Sequence, residues 1–186
     1  MLSPPTLFTP ETDVEEFALE CLSESDPAKE VVRVTPGFKG TVAAQKQYKI
    51  YVALNQAGVQ YVGCTCTALS TRLSMGNRTR TKSSKGYHGY KWLSLAGLRL
   101  VVFHLTGIRH PAPDVATREH NKQVAERIEA ELVFAVRAAT GQWPLSQHEI
   151  HFHNLALQAP LAQLTTTVAR QMYTRLGLRQ PLAAIQ

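Results

Sequence analysis

The sequence has no run of about 20 apolar residues, so it contains no candidate transmembrane helix. Its N-terminus lacks a basic stretch followed by an apolar core, and a secretory signal is therefore not expected. Its three cysteines, Cys21, Cys64 and Cys66, are an odd number without the spacing of a disulfide framework. Cys64 and Cys66 are also too close together for the usual zinc half-site. These absences predict a cytoplasmic protein with reduced thiols.

Carboxylates are missing from a long central segment. Residues 31–113 contain twelve Lys or Arg and no Asp or Glu, whereas residues 1–30 contain eight acidic residues and one lysine. The net charge of +6 therefore hides a strong separation of charge. A uniformly positive segment attracts polyanions, which favours nucleic acid as the partner. The alternative is a basic face that only keeps the protein soluble, set apart from an acidic tail.

The chain length of 186 residues fits one compact domain with additions at both ends. The predicted divisions are an acidic N-terminal arm, helix and linker at 1–40, a central domain at 41–154 and a C-terminal helical extension at 155–186. Residues 1–9 are predicted to be an extended arm. Thr9-Pro10, followed by acidic residues, predicts a helix to about Leu22. A short strand is expected at Val31–Val34.

The central domain begins with a predicted hairpin. Two apolar-rich segments, Tyr48–Leu54 and Val59–Cys64, flank a turn at Asn55–Gly58 in which glycine can take a positive φ. The almost continuously apolar Leu98–Thr106 predicts a central strand. A long helix is expected from Asp114 to Ala139, ending at Thr140-Gly141.

Three further segments complete the secondary-structure prediction. A helix of about two turns follows Thr67 and ends near Met75-Gly76, before a basic loop at Asn77–Gly86. Glu149–His153 alternates as a strand does. The C-terminal segment has an apolar stripe at helical spacing, which packs on this domain or on a partner subunit; it consists of Leu161, Leu164, Val168, Met172 and Leu176.

Four side chains stand out as chemistry-bearing. The hairpin can bring the phenols of Tyr51 and Tyr61 near one surface point, and Arg72 follows downstream. Glu129 interrupts the apolar stripe of the long helix, where a carboxylate is costly unless it is paired or binds a cation. Glu126 and Glu131 are predicted to face solvent. Tyrosine, arginine and carboxylate together suit phosphodiester cleavage.

These residues resemble motifs of the GIY-YIG nuclease superfamily. Tyr61-Val62-Gly63 matches the second motif, and Lys49-Ile50-Tyr51 matches the first with Lys in place of Gly. Thr67–Leu73 is similar to the family's first helix with its arginine, and Ile128–Val133 to the helix with its metal-binding glutamate. The likeness covers Gln47–Trp143, about half of the chain. The chain departs from the pattern at Gly76, where the family often has His or Tyr, and by one extra residue between Gly63 and Arg72.

The resemblance implies an α/β fold, with a small, mainly antiparallel, three-stranded sheet flanked by helices. It also implies a metal-dependent DNA endonuclease. Tyr51 would act as or position the general base, Tyr61 would bond near the scissile phosphate, and Arg72 would clamp that phosphate. Glu129 would hold Mg²⁺ or Mn²⁺, and His88 or Tyr87 would substitute for the His or Tyr that the family has at the position of Gly76.

Each of these residues also has an ordinary structural interpretation. Tyr51 and Tyr61 could pack within the hairpin, Arg72 could be a solvated helix residue, and Glu129 could form a salt bridge. A phenol with a pKa of about 10 needs nearby cations to act as a base, and Lys49 is expected on the same strand face as Tyr51.

The expected partner is DNA, single- or double-stranded, with RNA less favoured. Cations mixed with aromatic side chains are typical of nucleic-acid sites. The predicted contacts are Lys49, Arg78, Arg80, Lys82, Lys85, Tyr87, Tyr90 and Lys91. The alternatives are a nucleic-acid-binding module without catalysis, and a structural adaptor. A homodimer formed through the C-terminal helix is also considered.

Overall fold

The computed structural model describes residues 6–22, 31–82, 88–147, 150 and 159–178, with the backbone alone at 21–22, 31–32, 76–82, 88–90 and 159. The strands are β1 (Val14–Leu22), β2 (Val31–Thr35), β3 (Lys49–Asn55), β4 (Gly58–Thr65) and β5 (Leu98–His104). The α-helices are α1 (Leu69–Lys82), α2 (Val115–Thr140) and α3 (Ala159–Arg175). Two 3₁₀ helices lie at Val42–Ala44 and His88–Ser94.

The strands form one antiparallel sheet in the order β2-β1-β5-β3-β4. The predicted α/β class is therefore confirmed, but the sheet has five strands and not three. The three expected strands are neighbours in it, as β4-β3-β5, and β5 is central as predicted. The two additional positions are filled by β1 and β2, from the N-terminal part of the chain.

The predicted hairpin is confirmed as β3 and β4. The Asn55 side-chain oxygen accepts hydrogen bonds from the Ala57 amide and from Gln60, each at 3.0 Å. Gly58 takes the positive φ, 116°, that the turn requires. The hairpin thus closes over two residues, and a register shift between Ala53 and Leu54 then places Tyr51 opposite Gly63.

The predicted N-terminal helix is wrong, because residues 14–22 form β1. The helix-start signals close a single turn, in which the Asp13 amide donates to the Thr9 carbonyl oxygen at 2.9 Å. Beyond that turn, Phe17 and Leu19 are buried and alternate with exposed residues, which is the period of a strand. Pairing with β5 on one side and β2 on the other outweighs the local helix signal.

The expectation of a loosely attached arm also fails for the described residues 6–9. Leu7 and Phe8 are buried in the core, and the ring of Phe8 meets Phe103 edge to face with centroids 5.6 Å apart. The Gly107 amide donates to the Leu7 carbonyl oxygen. A Cβ at Gly107 would lie 2.0 Å from the Thr6 carbonyl oxygen, so the chain crosses here only because position 107 has no side chain.

The helix after the hairpin is longer than predicted. α1 continues through Gly76 to Lys82, so the first part of the predicted basic loop is helical. One glycine costs a helix only about 1 kcal/mol, and residues 77–82 include no proline to stop it. α2 agrees with the prediction, with Asp114 as its N-cap and Gly141 in the left-handed conformation at its end.

The sheet has a separate core on each face. On one face α2 and α3 cover alternate sheet residues such as Ile50, Val52 and Phe103. On the other face, the α1 side, Leu69 and Leu73 pack with Trp92 over the remaining residues. We call these the α2 face and the α1 face. Strand residues alternate between the two, so adjacent residues of β3 and β4 enter different cores.

α3 packs on α2 within the chain. Val168, Met172 and Leu176 of the C-terminal stripe are buried in the α2-face core, and Leu161 and Leu164 pack against it. Arg99 donates to the Leu176 carbonyl oxygen at 2.8 Å and so ties the end of α3 to β5. Across the described part of the chain, no helix is both long and apolar enough to span a bilayer. The predicted strand at Glu149–His153 lies, apart from Ile150, outside the described residues.

Candidate active site

The motif tyrosines lie side by side on the α1 face. Tyr51 is directly opposite Gly63, and a Cβ at Gly63 would lie 2.5 Å from the Tyr51 hydroxyl and 2.7 Å from the Tyr61 ring. Glycine is therefore needed at position 63 because the Tyr51 ring occupies the space of its missing side chain. The ring centroids of Tyr51 and Tyr61 are 6.0 Å apart. The prediction that the hairpin brings the two phenols together is confirmed, but their predicted place at the surface is wrong, because both rings are buried.

Aromatic packing continues from these tyrosines to Trp92. The rings of Tyr61 and Trp92 stack with centroids 5.7 Å apart, and Trp92 is itself fully buried. Tyr51 has no exposed surface, while Tyr61 retains 6%. The hairpin tyrosines thus form part of a core, and access to the Tyr51 hydroxyl requires the surrounding chain to open.

Lys49 is buried and not on the surface. Its ammonium donates to the carbonyl oxygens of Gln45, Gln47 and Thr67 at 2.7, 2.9 and 3.0 Å. Burial lowers its pKa to about 8. The structure therefore gives Lys49 the role of tying the start of β3 to the loop before α1, in place of the predicted contact with nucleic acid. A side chain with no exposed surface does not reach a phosphate in solution.

A second group of chemistry-bearing residues lies at the end of the hairpin, where α1 and α2 approach β4. Burial first, and the neighbouring carboxylate of Glu126 second, raise the pKa of Glu129 to about 8. The positive charge of Arg72 acts in the opposite direction and lowers that pKa. Residues of two helices, 57 positions apart in sequence, therefore share one electrostatic environment.

Cys64 lies in the same environment. Burial, followed by the nearby charge of Glu129, raises the pKa of the Cys64 thiol well above its ordinary value, and Arg72 lowers it. Cys64 pairs with Ile50 in the hairpin and packs against the α2-face core. A thiol in this setting stays protonated and is not a nucleophile.

Glu126 is a residue that sequence reasoning missed. It was expected to face solvent, yet its side chain is only 17% exposed and its charge acts on Glu129, one helical turn away. The sequence did contain a signal: Glu126 and Glu129 are three positions apart, and residues at this spacing are neighbours on a helix surface. Glu131, which was also expected to face solvent, is only 18% exposed and forms an ion pair with Arg127, as Glu126 does with Lys122.

Gln147 is another contribution that the sequence did not indicate. Its side-chain oxygen accepts a hydrogen bond from the Val62 amide at 3.0 Å, in the middle of the second motif. The Leu145 and Ser146 amides also donate to the carbonyl oxygens of Val59 and Gln60, at 3.0 and 2.7 Å. The segment after α2 thereby covers the edge strand β4. The sequence does not reveal this pairing, because it joins backbone groups that are distant in the chain.

Several predicted nucleic-acid contacts lie outside what the structure describes. Lys85 and Tyr87 are outside the described residues. Arg78, Arg80 and Lys82 lie on α1, and His88 and Tyr90 on the second 3₁₀ helix, with their backbone alone described. The side chain of Lys91 is described and is exposed, as a phosphate contact requires.

The donors near Arg72 fit a hard divalent cation. Glu126 and Glu129 supply carboxylate oxygens, the ligands that Mg²⁺ prefers, and their mutual repulsion is the kind that a cation relieves. No cluster of three or more His, Cys, Asp or Glu side chains able to hold a metal occurs among the described residues. Mg²⁺ commonly takes only one or two carboxylates together with water and phosphate, so two glutamates suffice.

Comparisons with protein families, with curated proteins and with solved structures find no match to this chain.

Proposed function

We propose that this protein is a metal-dependent endonuclease of the GIY-YIG type that hydrolyses DNA phosphodiester bonds. The observation that carries the proposal is that the charge of Arg72 acts on the buried carboxyl of Glu129, and that both residues act on Cys64 of the hairpin that carries Tyr51 and Tyr61. These residues come from one strand pair and two helices, in the order of the motifs. An arginine can bind a phosphate. A buried glutamate that loses its proton when a cation is present can bind a metal, so the two residues together suit a site for both.

Arg72 would bind the scissile phosphate. A guanidinium can donate two parallel hydrogen bonds to phosphate oxygens and offsets the charge that grows on them in the transition state. Its charge already acts on Glu129, so a phosphate bound by Arg72 would also enter the electrostatic environment of that carboxylate. The basic segment at residues 31–113 would draw the polyanion to this part of the molecule.

Glu129 and Glu126 would hold the divalent cation. When bound, Mg²⁺ would neutralise phosphate charge and lower the pKa of a water molecule. The high pKa of Glu129 means that its proton must leave before the carboxylate serves as a ligand, so loading is expected to improve as pH rises. Tyr51 and Tyr61 would accept or position the proton of the attacking water once the core around them opens.

A nucleic-acid-binding module without catalysis is the second candidate. The observation that favours it is the complete burial of Tyr51, which has no exposed surface from which to contact water. The structural-adaptor alternative is less favoured, since the apolar stripe of α3 that could drive assembly is used in packing on α2. A cleavage assay separates the first two candidates, because only the nuclease breaks the DNA that it binds.

The test compares Glu129→Gln with Glu131→Gln on labelled single- and double-stranded DNA, in Mg²⁺, in Mn²⁺ or in EDTA. Both variants make the same change on one helix, but Glu131 is paired with Arg127. Wild type and Glu131→Gln are expected to cleave with metal and not in EDTA. Glu129→Gln should lose about 100-fold or more of the rate while still binding DNA. Full activity in Glu129→Gln would remove this residue from the site.

A further inference from the structure

An aromatic cluster stands exposed at the C-terminal end of α2. Phe134 and Trp143 are about 40% and 41% exposed, and their rings meet edge to face with centroids 5.6 Å apart. The guanidinium carbon of Arg137 lies 4.8 Å from the centroid of the Trp143 ring. We call Phe134, Arg137 and Trp143 the Trp143 platform. It offers an indole and a planar cation in contact with each other and open to solvent.

The platform is held from both sides. Before Trp143, Gly141 ends α2 in the left-handed conformation, and Arg137 donates to the Gly141 carbonyl oxygen at 3.1 Å. After Trp143, the amides of Leu145 and Ser146 bond to the edge strand β4. Trp143 thus lies in a short segment fixed at two ends, so little conformational entropy is lost when a ligand packs on it.

The charge around the platform favours an electron-rich, anionic partner. Residues 132–147 contain Arg137 and no Asp or Glu. A base that stacks on indole or guanidinium also brings its phosphates near that arginine. Exposed aromatic rings beside arginine are the usual surface on which single-stranded nucleic acid stacks its bases. A protein partner of opposite charge would meet the arginine but would not need the exposed indole face.

The position of the platform relates it to the candidate active site. The segment that carries Trp143 is anchored on β4, through Val59 and Gln60 on the backbone and through Gln147 on Val62. Tyr61 and Gly63 lie on that same strand, on either side of Val62. A strand of nucleic acid resting on the platform would therefore lie beside the segment that covers β4, the strand that carries Tyr61.

We propose that the Trp143 platform binds an unpaired nucleobase by stacking. The proposal rests on the proposed function insofar as nucleic acid is the partner, and it adds that the partner presents at least one unpaired base. It goes beyond the basic residues predicted from sequence, because their contacts are with phosphates and do not distinguish paired from unpaired strands.

The experiment measures binding of Trp143→Ala to an oligodeoxythymidine and to an abasic oligomer of equal length, both in EDTA. Loss of one stacked base is expected to weaken oligodeoxythymidine binding about 10-fold and to leave abasic binding unchanged. Trp143→Phe should recover part of the affinity because phenylalanine also stacks. Leu145→Ala is the matched control, since Leu145 is an exposed apolar residue on the same segment. Circular dichroism checks that each variant is folded.

Intrinsic fluorescence gives an independent readout. The chain has two tryptophans, of which Trp92 is fully buried and Trp143 is 41% exposed. Oligodeoxythymidine should quench wild-type emission, the abasic oligomer should not, and Trp143→Phe should lose the quenching. Because this readout needs no cleavage, quenching in a wild type that fails to cut DNA would reject the nuclease proposal and keep the platform.

Four results would overturn the platform. Equal loss of affinity for both oligomers in Trp143→Ala would indicate a structural effect. Equal weakening by Leu145→Ala would indicate a general apolar docking surface for a protein. Wild-type affinity in Trp143→Ala, with cleavage intact, would reject stacking and leave the nuclease proposal standing. A wild type that neither binds nor cleaves nucleic acid would reject both.

Discussion

The two faces of the β3–β4 hairpin are buried by different kinds of side chain. On the α1 face, Tyr51 and Tyr61 pack with Trp92 into an aromatic core in which the space at Gly63 is already filled. On the α2 face the core is mostly aliphatic, with a few aromatic residues such as Phe8 and Phe103, and the carboxylates of Glu126 and Glu129 interact beside it. The first face therefore has little freedom to rearrange, whereas the second has ionisable groups whose state depends on pH and cations.

This difference separates two parts of the proposed chemistry. Metal and phosphate binding are assigned to Glu129 on α2 and Arg72 on α1, and water activation to Tyr51, on the α1 face. Alternation along a strand places neighbouring residues on opposite faces, so the hairpin, like β5, contributes side chains to both cores. Mutations on each face are expected to have different signatures, in stability on the α1 face and in pH and metal dependence on the α2 face.

The largest expected effect is that of Gly63→Ala on the α1 face. The new Cβ would lie 2.5 Å from both Cζ and the hydroxyl of Tyr51, which is fully buried. We expect the free energy of unfolding to fall by about 3 kcal/mol, as for an overpacked core. Urea denaturation measures it, with Gly37→Ala as the matched control because a Cβ at Gly37 meets nothing within 4 Å. Equal stability of the two variants would mean that the aromatic core can rearrange.

Tyr51→Phe tests whether the α1 face takes part in chemistry at all. Loss of the hydroxyl should lower the cleavage rate by about 100-fold, the usual scale for a missing acid–base group, and should leave the ring packing unchanged. Tyr48→Phe is the control, because Tyr48 is a buried tyrosine of the α2-face core with no role in the proposed chemistry. Single-turnover cleavage measures the rate, and thermal unfolding measures stability. A Tyr51→Phe protein that cuts at the wild-type rate would restrict the chemistry to the α2 face.

A smaller effect is expected from pH on the α2 face. The raised pKa of Glu129 means that the folded protein holds this proton more tightly than the unfolded chain, so its stabilising contribution is complete below the ordinary value of 4.5. That contribution is lost as pH rises towards about 8. In EDTA, wild type should lose about 2 kcal/mol relative to Glu129→Gln between about pH 6 and about pH 8.

The pH dependence of stability is also expected to change when Mg²⁺ is present. Mg²⁺ should restore stability to the wild type at the upper end of this pH range, since a ligand that binds only the folded state stabilises it. It should do little for Glu129→Gln, and Glu131→Gln should behave as the wild type does. Parallel pH curves for wild type and Glu129→Gln would contradict the burial that raises the pKa of this carboxylate.

Sequence reasoning succeeded where the decisive interactions are local. The turn at Asn55–Gly58, the ends of α2 at Asp114 and Gly141, and the apolar stripe of α3 follow from caps, glycine conformations and helical spacing. It failed at β1, where a proline and acidic residues predicted a helix but pairing with β5 and β2 produced a strand. It also failed at Gly76, because a single glycine is too weak a signal to end α1.

The candidate site divides in the same way. The hairpin, the adjacency of Tyr51 and Tyr61 and the long helix that carries Glu129 could be predicted from the sequence, because each depends on residues close together in the chain. The burial of Lys49, the effect of Glu126 on Glu129 and the exposure of Trp143 on a segment anchored to β4 could be seen only in the folded chain. Those features arise from contacts between distant segments, whose burial and electric field no local pattern records.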